Sequence, residues 1–220
     1  MKRLEKIYKD IKEVRIQGAT NVAKAALRAY EMRRDKKNKE KLLSLRPTEP
    51  MLSNVLNFVE IWPKKKIIKH FSIAQNKINK NVLKLIKNNF VVFTHCHSTN
   101  VVKALIYTKR KGKKFVVYNT ETRPLYQGRK TARELSNNRI KVTTFVDSAM
   151  KEAIGGSDVV MMGADAILKN GAINKIGSGA IASLAKMLRK PVYIVADSWK
   201  FSPRNVKIEE RDFHEVWKRA

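Results

Sequence analysis

One cysteine, Cys96, serves the whole 220-residue chain. No internal disulfide can form, which suits a reducing compartment and leaves a thiol free for chemistry. Long apolar runs are also missing. None approaches the roughly 20 residues of a membrane span, and the charged opening MKRLEKIYKDIKEVR lacks the apolar core of a secretion signal. No membrane partner is expected, and the expected location is the cytoplasm. Acidic residues are scarce: 19 Asp and Glu stand against 47 Lys and Arg, a net charge of +28. Such an excess invites a nucleic-acid reading, because clustered bases release counterions from a phosphate backbone. Its placement argues otherwise, since residues 1–90 carry 23 bases and 8 acids and residues 91–220 carry 24 and 11, so there is no basic tail. Base-stacking aromatic strands, zinc-finger spacings and basic zippers are absent as well. No dedicated nucleic-acid role is expected; attraction for small anions, or adaptation of the whole surface, is the simpler reading.

What is present is the composition of a folded protein, 43% hydrophobic and 30% charged. The length suffices for a small domain joined to a larger one. The early sequence reads as helices. KKIIKHFSIAQNKINKNVLKLIKNN sets Ile67, Ile68, Phe71, Ala74, Ile78, Val82, Leu85 and Ile86 at helical spacing with Lys and Asn between them. NVAKAALRAYEMRR gives a second helix after QGAT, and the two prolines of LRPTEP break the helical run. The basic stretch RRDKKNKEK reads as a solvated helix face or turn. Then the rhythm changes. Strands in NFVVFTH, KFVVYNT, IKVTTFVD, SDVVMMGAD and PVYIVAD alternate with helices in STNVVKALIYTKRKG, GRKTARELSNN, DSAMKEAI and GSGAIASLAKMLRK. The predicted fold is α/β: a Rossmann-like parallel sheet domain over residues 89–220, preceded by a small all-α domain over residues 1–88. Ligands of such sheets lie beyond the carboxyl ends of the strands, which nominates His95, Cys96, His97, Thr120, Glu121, Arg123, Asp147, Ser148, Asp165 and Asp197.

Four constellations carry candidate chemistry. His95-Cys96-His97 suggests zinc, yet only His70 and His214 could complete the ligand set, and neighbours on a strand point to opposite sides; no metal is expected. Cys96 could be a small buried hydrophobe, but a thiol between a strand end and a helix start meets the positive end of a helix dipole, which lowers its pKa. GSGAIA, residues 177–182, fits a dinucleotide fingerprint with Asp197 twenty residues after Gly177. It follows NGAINKI rather than a buried apolar strand, so no cofactor is expected; Gly177 and Gly179 would admit an anion at a helix start, with Lys175 adding charge. In NTETRPLYQGRKTARELS, Arg123 could clamp a phosphate or pair with Glu121 at the surface. In VVMMGADAI, Asp165 emerges from an apolar setting that would raise its pKa for acid work, helix capping being the plainer role.

The motifs THCHS, ETRPLYQGRKTARELS, VDSA, GADAILKNGAINKIGS and WKFSP resemble the superfamily of ribose-1,5-bisphosphate isomerase, methylthioribose-1-phosphate isomerase and the regulatory alpha, beta and delta subunits of translation initiation factor 2B. The likeness is dense from residue 90 to about residue 217. Upstream, DIKEVRIQGATNVAKAA resembles the family's substrate-phosphate loop and LRPTEPML its R-P-T segment. The resemblance implies a helical domain before a Rossmann-like one, and a homo-oligomer, either a dimer or a hexamer built of dimers. It also implies a sugar phosphorylated at C1 as substrate, with Cys96 and Asp165 as the catalytic pair that regulatory subunits tend to lose. Gly18, Ala19, Arg46, Arg123, Asn174 and Lys175 would hold phosphates and hydroxyls. One of the pair would protonate the ring oxygen and the other move the C2 proton; the assignment stays open, as does a hydride shift. The closing KIEERDFHEVW is more similar to the ribose-bisphosphate branch, so the expected reaction is ribose 1,5-bisphosphate to ribulose 1,5-bisphosphate. The alternative is a regulatory subunit that binds its partner, with or without nucleotide, and turns nothing over. Two positions depart from the isomerase pattern: Gln17 stands where R-G-A has arginine, and His97 where asparagine is usual.

Overall fold

Five helices come first in the computed structural model, which describes residues 2–217: α1 Lys2–Lys12, α2 Ala19–Met32, α3 Lys36–Leu45, α4 Pro50–Ile61 and α5 Lys64–Leu85. Their ends follow local chemistry. Asp35 caps α3 by accepting the Asn38 N–H at 2.7 Å, so the basic stretch divides into a cap and a helix. Pro50 occupies the first turn of α4, where its missing N–H costs nothing. The following elements are β1 Phe90–Thr94, α6 Thr99–Arg110, β2 Phe115–Thr120, α7 Gln127–Asn137, β3 Lys141–Phe145, α8 Met150–Gly155, β4 Val159–Met162, β5 Ala166–Leu168, β6 Gly171–Ile173, α9 Ser178–Met187 and β7 Val192–Ile194.

The chain forms two units. The helical unit comprises the chain through Ala74 together with Asp165–Ile173 and Ser198–Glu210. Alanines 23, 25, 26 and 29 of α2 are buried, and their small side chains let this helix lie close along α4 around Leu27, Leu52, Val55 and Leu56. The later stretches are tied in by specific contacts. β5 and β6 form an antiparallel hairpin, and the Ser202 N–H donates to the Ile167 carbonyl at 2.8 Å. Trp199 stacks on His70 with ring centroids 3.5 Å apart and also meets Phe58 and Phe71.

The sheet unit comprises Gln75–Ala164, Asn174–Asp197 and residues 211–217. Its sheet is parallel, in the order β3-β2-β1-β4-β7. Successive residues of a strand face opposite sides, and each side contributes to a core. Val92, Val159 and Met161 join one core with residues of α5, α6 and α7; Phe93, Val160 and Met162 join the other with residues of α8 and α9. The chain winds outward from β1 to β3, then returns to place β4 on the other side of β1. The direction of winding therefore reverses between β1 and β4, and ligands bind at the carboxyl ends of strands at such a point. Among the described residues, no helix is long and apolar enough to cross a membrane.

One glycine sets how near α7 comes to the sheet. A Cβ on Gly128 would lie 1.7 Å from the Thr120 carbonyl oxygen, a backbone atom that cannot turn aside. Gly128→Ala is expected to lower unfolding free energy by about 3 kcal/mol or more, measured by urea denaturation, because α7 must be displaced from the end of β2.

Candidate active site

Cys96 lies two residues beyond β1, with a backbone φ of 65° that L-residues seldom adopt. Its peptide groups are fixed from both sides. The Cys96 N–H donates to Thr122 Oγ1 at 3.0 Å, and Thr131 Oγ1 donates to the Cys96 carbonyl at 2.8 Å. Ser98 then caps α6. The turn after β4 is adjacent: a Cβ on Gly163 would lie 2.4 Å from Ser98 Oγ, so only glycine allows this approach.

The flanking histidines have separate partners rather than a common focus. His95 Nε2 lies 2.9 Å from the Ile176 carbonyl, which can only accept, so this nitrogen carries the proton. Its Nδ1 accepts from Thr120 Oγ1 at 2.6 Å. Burial, with Lys175 nearby, holds the ring below its usual pKa. His95 therefore ties the loop bearing Asn174 and Lys175 to the sheet. On the other side, Thr131 spends its proton on Cys96, so His97 Nδ1–H donates to Thr131 Oγ1 at 3.0 Å. Burial first, and Lys130 second, push the His97 pKa down to about 4. It is neutral near pH 7, and its 3.7 Å approach to Glu134 is then no ion pair.

Asp147 organises the next turn, its two oxygens accepting the N–H groups of Thr122 at 2.9 Å and Arg123 at 2.7 Å. The Arg123 guanidinium meets the Tyr126 hydroxyl and donates to the Val216 carbonyl at 3.1 Å. It does not pair with Glu121, whose partner is Arg129 at 2.6 Å. At the start of α9, Gly177 has φ 93°, and Asn174 donates to Ser178 Oγ at 2.9 Å. Near this end of the sheet lie Thr120 and Asp197, both buried.

In the helical unit, Gly18 precedes α2 with φ 85° and no side chain caps the helix. The first N–H groups of α2, beginning at buried Ala19, are thus the kind that receive anions. Arg46 is bound by two carboxylates: Nη2 to Glu49 at 2.6 Å and Nε to Glu209 at 2.7 Å. Burial works against its charge, and Glu49 and Glu209 more than restore it. Its Nη1 is buried with no hydrogen-bond partner among the described residues. Thr48 fixes the same strap, donating to the Lys207 carbonyl at 2.7 Å and accepting the Glu209 N–H at 2.8 Å. Glu49 is 3% exposed, and burial pushes its pKa up to about 7 despite Arg46, with Asp165 and Glu209 adding repulsion and Lys200 relief.

Of the residues expected in the site, Cys96, Arg123, Asn174 and Lys175 belong to the sheet unit, and Gly18, Ala19, Arg46 and Asp165 to the helical one. Arg46 and Asp165 are near enough for their charges to interact. Asp147, nominated by its position after β3, holds Arg123 in place; Glu49, Glu209, Thr122 and Thr131 do the same for other expected residues yet escape sequence reasoning about the site.

This arrangement can be set beside known proteins. The sequence pattern of the Initiation factor 2 subunit family matches residues 11–220. The chain belongs to that family. It is 35% identical to a ribose 1,5-bisphosphate isomerase of Archaeoglobus fulgidus, an alignment covering 94% of this chain and 76% of the relative. With the protein of that name from Methanocaldococcus jannaschii it shares 34% identity over 97% of this chain and 80% of the relative. Among solved structures, the translation initiation factor eIF-2B of Pyrococcus horikoshii superimposes with a TM-score of 0.89 at 25% identity, over 97% of this chain and 86% of that one. A tetrameric eIF2B-beta2-delta2 complex from Chaetomium thermophilum, 17% identical, shares the fold with a TM-score of 0.79 over 93% of this chain and 79% of the matched one.

The buried Glu49 has a measurable consequence. Its folded pKa of about 7 exceeds the ordinary 4.5, so the unfolded chain releases this proton first. The stabilising contribution is complete below pH 4.5 and is lost as pH rises to 7, by about 3 kcal/mol. His97 acts in the opposite sense, contributing above pH 6.5 and losing that contribution as pH falls toward 4. Subtracting the stability–pH curve of Glu49→Gln from that of the wild type should isolate a fall between pH 4.5 and 7.

Proposed function

We propose that this chain is an aldose–ketose isomerase that converts ribose 1,5-bisphosphate to ribulose 1,5-bisphosphate. The observation that carries the reading is identity of 34–35%, along nearly the whole chain, to archaeal proteins named for that activity. The chain keeps both groups the chemistry requires. β1 and β4 are paired neighbours, and Cys96 and Asp165 follow their carboxyl ends by two and three residues.

The anomeric oxygen of a C1-phosphorylated sugar is esterified, so its ring does not open unaided. An acid must protonate the ring oxygen as its bond to C1 breaks. The C2 hydrogen then leaves to a base and a proton is returned to C1, or it passes directly as hydride. Loss of the C2 hydroxyl proton completes the ketone. The product is an isomer, so no external oxidant or reductant is consumed. In this proposal Cys96 and Asp165 share the acid and base roles; the order between them is left to experiment. Gly18, Ala19, Arg46, Arg123, Asn174 and Lys175 hold phosphates and hydroxyls, and the unpartnered Arg46 Nη1 is suited to an anionic oxygen. The protein works in the cytoplasm, where a thiol stays reduced.

The functional protein is a homo-oligomer, a dimer or a hexamer built of dimers. β7 borders the sheet, and its Val192, Tyr193 and Ile194 are 36–41% exposed. Apolar side chains on a strand edge favour a covering partner, and a second copy supplies one.

Purified protein given ribose 1,5-bisphosphate should form the ketose. Cys96→Ser and Asp165→Asn should each lower kcat about a thousandfold while product binding persists. Inactivity of the wild type, with tight binding to the initiation factor, would favour the regulatory reading. Tyr193→Lys should shift the sedimenting species toward the monomer.

A further inference from the structure

Arg46 is an unusual choice for an anion site, because its charge is already engaged. Two carboxylates, Glu49 and Glu209, bind two of its nitrogens. The groups around Glu49 are Arg46 from the turn before α4, Asp165 from the turn after β4, and Lys200 and Glu209 from the strap that follows β7. With every group ionised, three carboxylates face two cations. A phosphate oxygen arriving at Arg46 Nη1 would add negative charge to a cluster that already has an excess.

One carboxyl can yield at little structural cost. Glu49 is 3% exposed, and Oε1 pairs with Arg46 while Oε2 is buried with no hydrogen-bond partner among the described residues. A proton on Oε2 therefore breaks no bond, and the Oε1 contact survives between a neutral carboxyl and the Arg46 guanidinium, which stays charged. Glu209 is less suited, being more exposed and fixed through its own backbone to Thr48. Retaining a proton is also the ordinary response of a carboxyl that is buried among like charges.

We propose that Glu49 takes up one proton when an anionic sugar phosphate binds, so that Arg46 exchanges a carboxylate partner for the ligand. Glu49 is thus a positioning residue that acts through Arg46. The inference rests on the isomerase reading and adds a proton to its binding step. The unliganded carboxyl, near pH 7 by its burial, is ready to make that exchange around neutrality. Binding should weaken as pH rises above 7, approaching tenfold per unit, because each bound ligand must then draw a proton from solution.

The test uses ribulose 1,5-bisphosphate and the full-length Cys96→Ser protein, in which turnover is blocked. Calorimetry at pH 8 in buffers of different ionisation enthalpy gives the number of protons taken up. The expected count approaches one more than in the Cys96→Ser, Glu49→Gln protein, whose affinity should lose the tenfold slope. Equal counts and equal slopes in the two proteins overturn the proton role and leave the isomerase reading standing. Absence of any binding sinks that reading and this inference together. Should the double variant fail to fold, difference infrared spectroscopy of the single variant decides. A protonated carboxyl band that grows on binding supports the inference, and its absence overturns it.

Discussion

Two hydrogen bonds with threonines, one received and one given, hold Cys96 in a left-handed turn, and the arrangement of the sheet's carboxyl edge depends on them. A residue with a Cβ reaches this conformation only at a cost of about 1–2 kcal/mol, so the turn persists because its surroundings prescribe it. Thr122, which receives the Cys96 N–H, is itself placed by Asp147; Thr131, which donates to the Cys96 carbonyl, projects from α7. The thiol is thereby referred to the ends of β2 and β3 and to the helix between them. Gly128 lets α7 come close enough for Thr131 to reach. His95 and His97, the neighbours that first suggest a metal, serve this scaffold instead: one fastens the Lys175 loop, and the other closes the bond chain through Thr131.

Much of the sheet was legible because most strands appear as short unbroken apolar runs, the central β4 being buried throughout. FVVF, FVVY, VVMM and VYI need no partner to be recognised. The hairpin of β5 and β6 was not legible: its strands have three residues each, too few for a period to declare itself, and NGAINKI was read only as a stretch that is not the buried strand of a dinucleotide fingerprint. Sequence reasoning found Arg46 through a resemblance of its motif. Its partners stayed hidden for a physical reason, since Glu209 lies 163 residues away and no local pattern predicts which carboxylate a chain will fold onto an arginine. Glu49 was in plain view beside Arg46, but burial, the property that makes it unusual, comes only from tertiary packing.

The distribution of charge separates two tasks that the net value of +28 merges. Exposed lysines attract an anion over distances comparable to the screening length, roughly 8 Å at physiological salt. They are mobile and hydrated, so they favour encounter over fit. Recognition requires bases whose freedom has already been removed. Arg46, 12% exposed at its side chain and held by two carboxylates, is such a base, and its acids lower its long-range attraction while fixing its geometry. On the proposed reading, scarcity of acid over the chain and concentration of acid around Arg46 are therefore complementary: the surface would gather anions without choosing among them, and selection would fall to Arg46 as the charge of the bound group is compensated. A protein uniformly rich in paired charges would lose the first property, and one with no buried carboxylates would lose the second.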